Sequence, residues 1–157
     1  VRRRGFDDVI HQFIKTERPF LGICVGMQML FDASEEFGEH QGLAILPGRV
    51  VKIPNVTTNN ELQRVPHIGW NHLIQPEFSR SWNNSLLRQY EGINPAMYFV
   101  HSFAANPDKD SDRLADCYYG GHRLSAAVQR NNVMATQFHP ERSGKLGLNL
   151  LATFIEM

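Results

Sequence analysis

Hydrophobic positions along the first part of the chain predict a helix, a strand and a second helix. Apolar residues recur at spacings of three and four, the stripe of an amphipathic helix, at Phe6, Val9, Ile10, Phe13 and Ile14. The basic triplet at 2–4 is typical of a solvated helix end, and Pro19 ends the helix. The apolar run at 20–23 is typical of a buried parallel strand, and residues 25–33 return to a helical pattern. This order of elements indicates an α/β protein.

The rest of the chain predicts short strands and a closing helix. Strand-like runs bounded by turn-forming residues occur at 43–45, 49–53, 96–100, 113–119, 125–129 and 133–138. The polar, aperiodic segments at 55–64 and 76–84 indicate surface loops. Apolar residues at helical spacing mark the last helix at Leu146, Leu150, Leu151 and Phe154. We therefore expect a single domain over residues 1–157.

Composition and charge narrow the possible functions. The 157 residues include 16 Lys+Arg and 16 Asp+Glu, a balance that argues against nucleic-acid binding. No run approaches the roughly 20 apolar residues of a membrane span, and no signal sequence opens the chain. We expect a soluble, cytoplasmic protein in which Cys24 and Cys117 do not form a disulfide.

The segment Gly-Ile-Cys-Val-Gly at 22–26 contains the strongest candidate for chemistry. It places Cys24 between a predicted strand and a predicted helix, which is the nucleophile-elbow pattern with cysteine in place of serine. The flanking glycines permit a strained turn, and a helix N-terminus favours the thiolate form of the cysteine. The N–H of Val25 could serve as an oxyanion donor. A buried structural cysteine is the alternative.

The triplet His139-Pro140-Glu141 offers a base together with a group to orient it. Pro140 favours an extended conformation at His139, in which residues two apart project to the same side. The Glu141 carboxylate would then fix the tautomer of the imidazole. If the strands at 20–23 and 133–138 pair in parallel, the cysteine and this triplet lie at the same edge of the sheet. A surface Pro-Glu turn is the alternative.

Other candidate residues have simpler explanations. His67 and His101 have no cysteine or carboxylate partners at zinc-ligand spacing, so we predict no metal site and interpret both as structural or substrate-adjacent. Cys117 lies in a predicted strand and is interpreted as a buried apolar residue. His122 follows two glycines and is interpreted as a hairpin residue.

Taken together, these motifs resemble the class I glutamine amidotransferases. The resemblance covers nearly the whole chain and depends on the segments 19–31, 66–71, 98–102 and 136–144. The cysteine elbow and the late His-x-Glu motif are common to the superfamily, whereas the Pro-His-Ile-Gly-Trp-Asn and Tyr-Phe-Val-His segments resemble the glutaminase subunits of histidine biosynthesis. The resemblance implies a flavodoxin-like open α/β sheet with flanking helices.

The resemblance also implies a role for individual residues. Cys24 would be the nucleophile, His139 the base and Glu141 the orienting carboxylate. The residues implied to contact the L-glutamine substrate are Gln28, Glu36, Val25, His101 and Ser102. The residues implied to form the partner interface or the ammonia passage are Trp70, Asn71 and Arg142. An exposed acid, a core tryptophan and a solvated arginine are the alternatives for Glu36, Trp70 and Arg142.

In this family the ammonia released from glutamine passes to a synthase. The resemblance implies a heterodimer with a (β/α)₈ synthase/cyclase subunit that makes imidazole glycerol phosphate, with no cofactor. The alternatives are the amination of surface sugars, a non-catalytic binding subunit and a Cys-His hydrolase of another amide. Family members also begin with a strand and a glycine-rich turn that precede the position of Val1. We therefore expect an N-terminally incomplete domain with a weakened oxyanion hole.

Overall fold

The chain folds into three β-sheets and three α-helices in the part that the computed structural model describes, residues 5–77 and 81–157. The helices are α1 (Phe6–Ile14), α2 (Val25–Gln28) and α3 (Gly144–Ile155). The strands are β1 (Phe20–Ile23), β2 (Phe31–Ser34), β3 (His40–Gln41), β4 (Leu46–Lys52), β5 (His67–His72), β6 (Ala96–His101), β7 (Phe103–Pro107), β8 (Arg113–Tyr119), β9 (His122–Arg130) and β10 (Val133–Thr136). The basic triplet at 2–4 lies outside the described residues.

One sheet, in the order β1-β10-β9-β8, positions the candidate chemistry. β1 pairs with β10 in parallel, with Ile23 opposite Thr136, and the other two pairs are antiparallel. The condition for a shared edge is therefore met, and the segments that follow β1 and β10 leave the sheet at the same edge. A second sheet has the order β3-β2-β4-β7, and β5 and β6 form a two-stranded ribbon.

Two clusters of buried apolar side chains form the core. The larger cluster includes Trp82, Phe99, Phe138 and Leu150, and α3 contributes to it. The smaller cluster includes Met27 and packs around β2 and β4. None of the helices within the described ranges is long and apolar enough to cross a membrane.

The predicted helix at 25–33 is wrong beyond its first turn. α2 ends at Gln28, and Phe31–Ser34 forms β2, which pairs in parallel with β4. Three apolar residues of this segment are fully buried, as a helix would also require: Met27, Leu30 and Phe31. A short apolar run is buried equally well as helix or strand, so tertiary pairing decided between them.

Two further local predictions are corrected by the structure. The predicted strand at 43–45 is a loop, and β4 begins at Leu46 and continues through the supposed Pro47-Gly48 turn. The sequence predicts a surface loop at 76–84, a segment that lies partly outside the described residues. It nevertheless buries Trp82, whose indole Nε1 donates to the Leu114 carbonyl at 2.6 Å. The segment has only two aromatic residues in its sequence, Phe78 and Trp82, and one such pair sets up no periodicity that would reveal the anchor.

The hairpin between β8 and β9 agrees with its prediction. Gly120 and Gly121 both adopt positive φ, +57° and +80°, as a tight two-residue hairpin turn requires. His122 follows them, and its Nε2 lies 2.7 Å from the Val56 carbonyl. Cys117 of β8 is fully buried in the larger cluster, as expected of an apolar residue.

Candidate active site

Cys24 lies at a strained turn between β1 and α2. Its φ of +51° and ψ of −108° are rare for a residue with a side chain, and its N–H donates to the Thr136 carbonyl at 2.7 Å. The flanking glycines differ in their surroundings. A Cβ at Gly22 would lie 2.8 Å from the Gly26 carbonyl oxygen, whereas a Cβ at Gly26 would meet nothing within 4 Å in the described structure. The elbow is therefore present as predicted, but only Gly22 is required by close packing.

The surroundings of the Cys24 thiol disfavour the thiolate. Burial raises the pKa of the Cys24 thiol, and the carboxylates of Glu141 and Glu36 raise it further. The Val25 N–H and the Gln137 amide, whose Nε2 lies 3.7 Å from Sγ, act in the opposite direction. The N–H of Val25 at the start of α2 thus favours the thiolate, as the helix N-terminus was expected to do, but burial outweighs it and the pKa of Cys24 is raised overall. A thiol in this state needs a base to react.

His139 and Glu141 form the predicted base and carboxylate pair. The His139 Nδ1 lies 2.7 Å from Glu141 Oε1, so Nδ1 carries the proton and Nε2 has the free lone pair. His139 is extended as predicted, with φ −99° and ψ 98°, but residues 140–142 then form a 3-10 turn. That turn, rather than a continued extended chain, brings Glu141 back to the imidazole.

The backbone of His139 is held by β6 and by Ser143. The His139 N–H donates to the Tyr98 carbonyl at 2.9 Å, and the buried Ser143 hydroxyl donates to the His139 carbonyl at 2.6 Å. The Tyr98 N–H in turn donates to the same hydroxyl oxygen at 2.9 Å. Ser143 lies within the segment 136–144, but no local pattern in the sequence indicates this contact.

A pocket of 250 Å³ brings together residues that are far apart in the sequence. Its lining includes Cys24 and all five residues expected to contact the substrate, which are Val25, Gln28, Glu36, His101 and Ser102. The volume suits a ligand smaller than a typical drug molecule, such as one amino acid. Glu36 lies half-buried in the turn after β2, not at the end of a helix. An open cleft of 810 Å³ adjoins this pocket and shares Glu36 and Ser102 with it.

Two buried histidines lie behind this pocket. His101 Nδ1 lies 2.9 Å from the Phe103 carbonyl, so it carries the proton and Nε2 accepts a hydrogen bond from His67 Nδ1 at 3.0 Å. The His67 Nε2 then faces the side-chain amide of Asn71 at 3.4 Å. Burial lowers the pKa of both His67 and His101 to about 4, and each remains neutral near pH 7. His67 is therefore a structural residue, whereas His101 lines the pocket.

The neutral histidine pair predicts a loss of stability in mild acid. The pKa of each histidine is about 4 when folded and about 6.5 when unfolded, so between these values the unfolded chain binds protons that the folded chain does not. The contribution of the neutral histidines to stability is therefore complete above pH 6.5. As the pH drops towards 4, the free energy of unfolding falls by up to about 1.4 kcal/mol per pH unit for each histidine. Urea unfolding at several pH values measures this slope.

A matched pair of variants tests whether the buried histidines cause this slope. We expect His67→Gln to reduce the dependence on pH between 6.5 and 4, and His40→Gln, at an exposed histidine, to leave it unchanged. An unaltered slope in a folded His67→Gln variant would contradict the explanation.

Two of the three residues expected at a partner interface, Trp70 and Arg142, lie at the outer face of the ribbon β5-β6, whereas Asn71 faces the other side, towards His67 and Tyr118. Trp70 is 58% exposed, which excludes the core-tryptophan alternative, and its ring meets Tyr98 edge-on at 6.2 Å. The Arg142 guanidinium lies 4.7 Å from the centre of the Tyr98 ring. Asn71, on the same strand as Trp70, donates to the Tyr118 carbonyl at 2.9 Å. We call Trp70, Tyr98 and Arg142 the aromatic patch.

Solved structures share this fold. A crystal structure of a glutamine amidotransferase matches 98% of this chain and 70% of its own, with a TM-score of 0.63 and 18% identity. A glutamine amidotransferase from Thermotoga maritima matches with a TM-score of 0.59 and 20% identity, and this chain spans 52% of that protein. The predicted fold class is confirmed.

Sequence comparisons identify the family. The chain is 41% identical to imidazole glycerol phosphate synthase subunit HisH 1 of Legionella pneumophila (strain Lens) and 44% identical to subunit HisH of Syntrophotalea carbinolica. Each alignment covers 98% of this chain and 71% of the relative. Residues 3–157 also match the family model for glutamine amidotransferase class-I. The chain therefore belongs to the class-I glutamine amidotransferase family.

Proposed function

We propose that this chain is the glutaminase subunit of an imidazole glycerol phosphate synthase. It hydrolyses L-glutamine to glutamate and supplies the ammonia to a synthase subunit. The observation that carries the proposal is the shared pocket: a cysteine at a nucleophile elbow opens into it together with Gln28 and Glu36, and the His139–Glu141 pair leaves the sheet at the same edge. The names of the relatives support the choice of this synthase over a sugar-amination enzyme.

In the first step, Cys24 attacks the side-chain carbonyl carbon of glutamine. The thiol proton passes to the free Nε2 of His139, and a bond forms between Sγ and the carbonyl carbon. The Val25 N–H donates to the oxyanion. The carbon–nitrogen bond then breaks, and His139 returns the proton to the departing ammonia. Glutamyl thioester and ammonia are the products of this step.

In the second step, water hydrolyses the thioester. His139 Nε2 accepts a proton from water as the oxygen attacks the thioester carbon, and the carbon–sulfur bond breaks. The proton returns to Sγ, so glutamate leaves and the Cys24 thiol is regenerated. The Glu141 carboxylate stabilises the imidazolium in both steps.

Charge and shape in the pocket suit a free amino acid. The Glu36 carboxylate is the acidic group of the lining and would pair with the substrate α-ammonium. His101 is neutral and therefore does not compete for that carboxylate. Gln28 also lines the pocket, and its amide Nε2 is held by the Phe103 carbonyl at 3.0 Å.

We infer that the partner is a (β/α)₈ synthase/cyclase subunit and that it docks on the aromatic patch. An exposed tryptophan beside a half-buried tyrosine and an arginine is the composition that protein interfaces favour. Tyr98 belongs to this patch, and its backbone holds both the His139 N–H and Ser143. A partner that shifts the patch would therefore act on the base through one hydrogen bond. Asn71, beside Trp70, would border the ammonia passage.

We also propose that residues 1–157 act as one glutamine amidotransferase domain in the cytoplasm. The pocket takes its lining from both halves of the described chain, with Cys24 and Glu36 from one and His101 from the other. Cys24 and Cys117 are both free thiols, which suits a reducing compartment.

Covalent labelling with the glutamine-like electrophile diazo-oxo-norleucine tests the proposed function. We expect modification confined to Cys24, suppressed by excess L-glutamine and read by mass spectrometry of the digested chain. Cys117 serves as an internal control because it is fully buried. Labelling that glutamine does not suppress would overturn the glutamine pocket. Addition of the cyclase subunit of histidine biosynthesis, with glutamine as the nitrogen source, should then yield imidazole glycerol phosphate.

A further inference from the structure

A buried glutamine contacts the sulfur of Cys24. Gln137 is fully buried two residues before His139, and its Nε2 lies 3.7 Å from Cys24 Sγ. Its Oε1 accepts a hydrogen bond from Gln28 Nε2 at 3.1 Å. Neither the triad nor the contacts proposed for glutamine give this residue a role.

The hydrogen bonds fix which end of the Gln137 amide faces the sulfur. Gln28 Nε2 also lies 3.0 Å from the Phe103 carbonyl, which can only accept, so this nitrogen is correctly assigned as a donor. Gln28 therefore directs its second N–H at the Gln137 oxygen, and the Gln137 NH₂ group must point at Cys24. A flipped Gln137 amide would place two donors against each other and an oxygen against the sulfur.

The acceptor that orients Gln28 is itself held in place. The Phe103 carbonyl also accepts from His101 Nδ1 at 2.9 Å, and His101 is anchored by His67. Successive hydrogen bonds therefore connect the histidine pair, Gln28 and Gln137 to the thiol. Each hydrogen bond along this path fixes which atom donates in the following one. The Gln137 N–H can therefore point only towards Cys24 Sγ.

We propose that Gln137 is a positioning residue for the nucleophile, whose amide N–H holds Cys24 Sγ and favours its thiolate form. The proposal rests on the proposed function, since it takes Cys24 as the reacting group. An N–H donor at this position lowers the pKa of the Cys24 thiol. It counters burial and the carboxylates of Glu141 and Glu36, all of which raise that pKa. Val25 N–H and Gln137 are the groups that counter them, and only Gln137 can be removed by substitution.

The test is the pH profile of Cys24 alkylation by iodoacetamide in Gln137→Met. Methionine has a similar length and no N–H donor, so the thiolate loses one hydrogen bond. We expect the midpoint of the profile to rise by about one pH unit and alkylation near pH 7 to slow about tenfold. Mass spectrometry assigns the modified cysteine.

Gln129→Met is the matched control for the loss of a buried glutamine. Gln129 lies on β9 and its Oε1 accepts from the Leu86 N–H at 3.2 Å. This variant should keep the alkylation midpoint of the unsubstituted chain. A rise of the same size in both variants would mean that general loosening of the core, and not the bond to Cys24, moves the midpoint, and would overturn the proposal.

An unchanged midpoint in a folded Gln137→Met chain would overturn the role of Gln137. If that variant does not fold, Gln28→Met decides the question, because it frees the Gln137 amide to turn. The midpoint should then rise by a smaller amount, and no rise would overturn the proposal. Alkylation uses neither glutamine nor a partner. The two proposals can therefore fail separately. If the alkylation midpoint shifts but glutamine does not protect the chain from diazo-oxo-norleucine, the role of Gln137 is supported and only the glutaminase function is overturned.

Discussion

Replacing Cys24 with alanine is expected to lower the rate of glutamine hydrolysis by at least about 10⁴-fold. The thioester route requires a sulfur at the elbow, and the described residues of the pocket offer no second nucleophile of this kind. Alanine occupies less space than cysteine and leaves the turn unobstructed, so the far-ultraviolet circular dichroism spectrum should not change. Ammonia release from glutamine, measured with the cyclase subunit present, gives the rate.

Two further variants sharpen this first prediction. Cys117→Ala removes the other thiol, which lies fully buried in β8, and should reduce thermal stability while hydrolysis continues. The double variant Cys24→Ala with His139→Ala should be no slower than Cys24→Ala alone, because a base has no role without its nucleophile. Residual hydrolysis within tenfold of the unsubstituted rate in Cys24→Ala would contradict the thioester mechanism.

The two glycines of the elbow should respond in opposite ways to alanine. At Gly22 a Cβ would lie 2.8 Å from the Gly26 carbonyl oxygen and 2.9 Å from its carbon, so β1 and α2 would have to separate. We expect Gly22→Ala to cost about 1–3 kcal/mol in the free energy of unfolding. It should also displace Cys24, and a displacement of about 1 Å lowers catalytic rates by about 10²-fold.

Gly26→Ala is the matched control for this second prediction. Its Cβ would point into open space within α2, and alanine is a better helix former than glycine. Stability should therefore stay the same or rise by about 0.5–1 kcal/mol, with Cys24 alkylation unaffected. Urea unfolding and iodoacetamide labelling of both variants measure the two effects. Equal losses in Gly22→Ala and Gly26→Ala would show that close packing does not govern the elbow.

Some elements could be predicted from the sequence because their signals are local. α1 and α3 have apolar residues at helical spacing, and β1, β6 and β8 have short apolar runs bounded by turn residues. The start of β2 and the burial of Trp82 could not be predicted in this way. The segment at 31–34 became a strand because β3 and β4 offered hydrogen-bond partners, with Ser34 opposite His40 and Phe31 opposite Leu46, and these partners lie outside the segment whose periodicity was read.

The sequence by itself determined the candidate reactive groups, because Cys24 with its turn and His139 with Glu141 are contiguous motifs whose geometry depends on neighbouring residues. Only the tertiary structure decided how these groups behave. The pKa of Cys24 rises because packing buries it, although its position before a helix suggested the reverse. Gln137 meets Sγ across 113 positions of sequence, and Gln28 meets Gln137 across 109. Burial and hydrogen-bond direction depend on atoms that only folding brings together, so no local pattern encodes them.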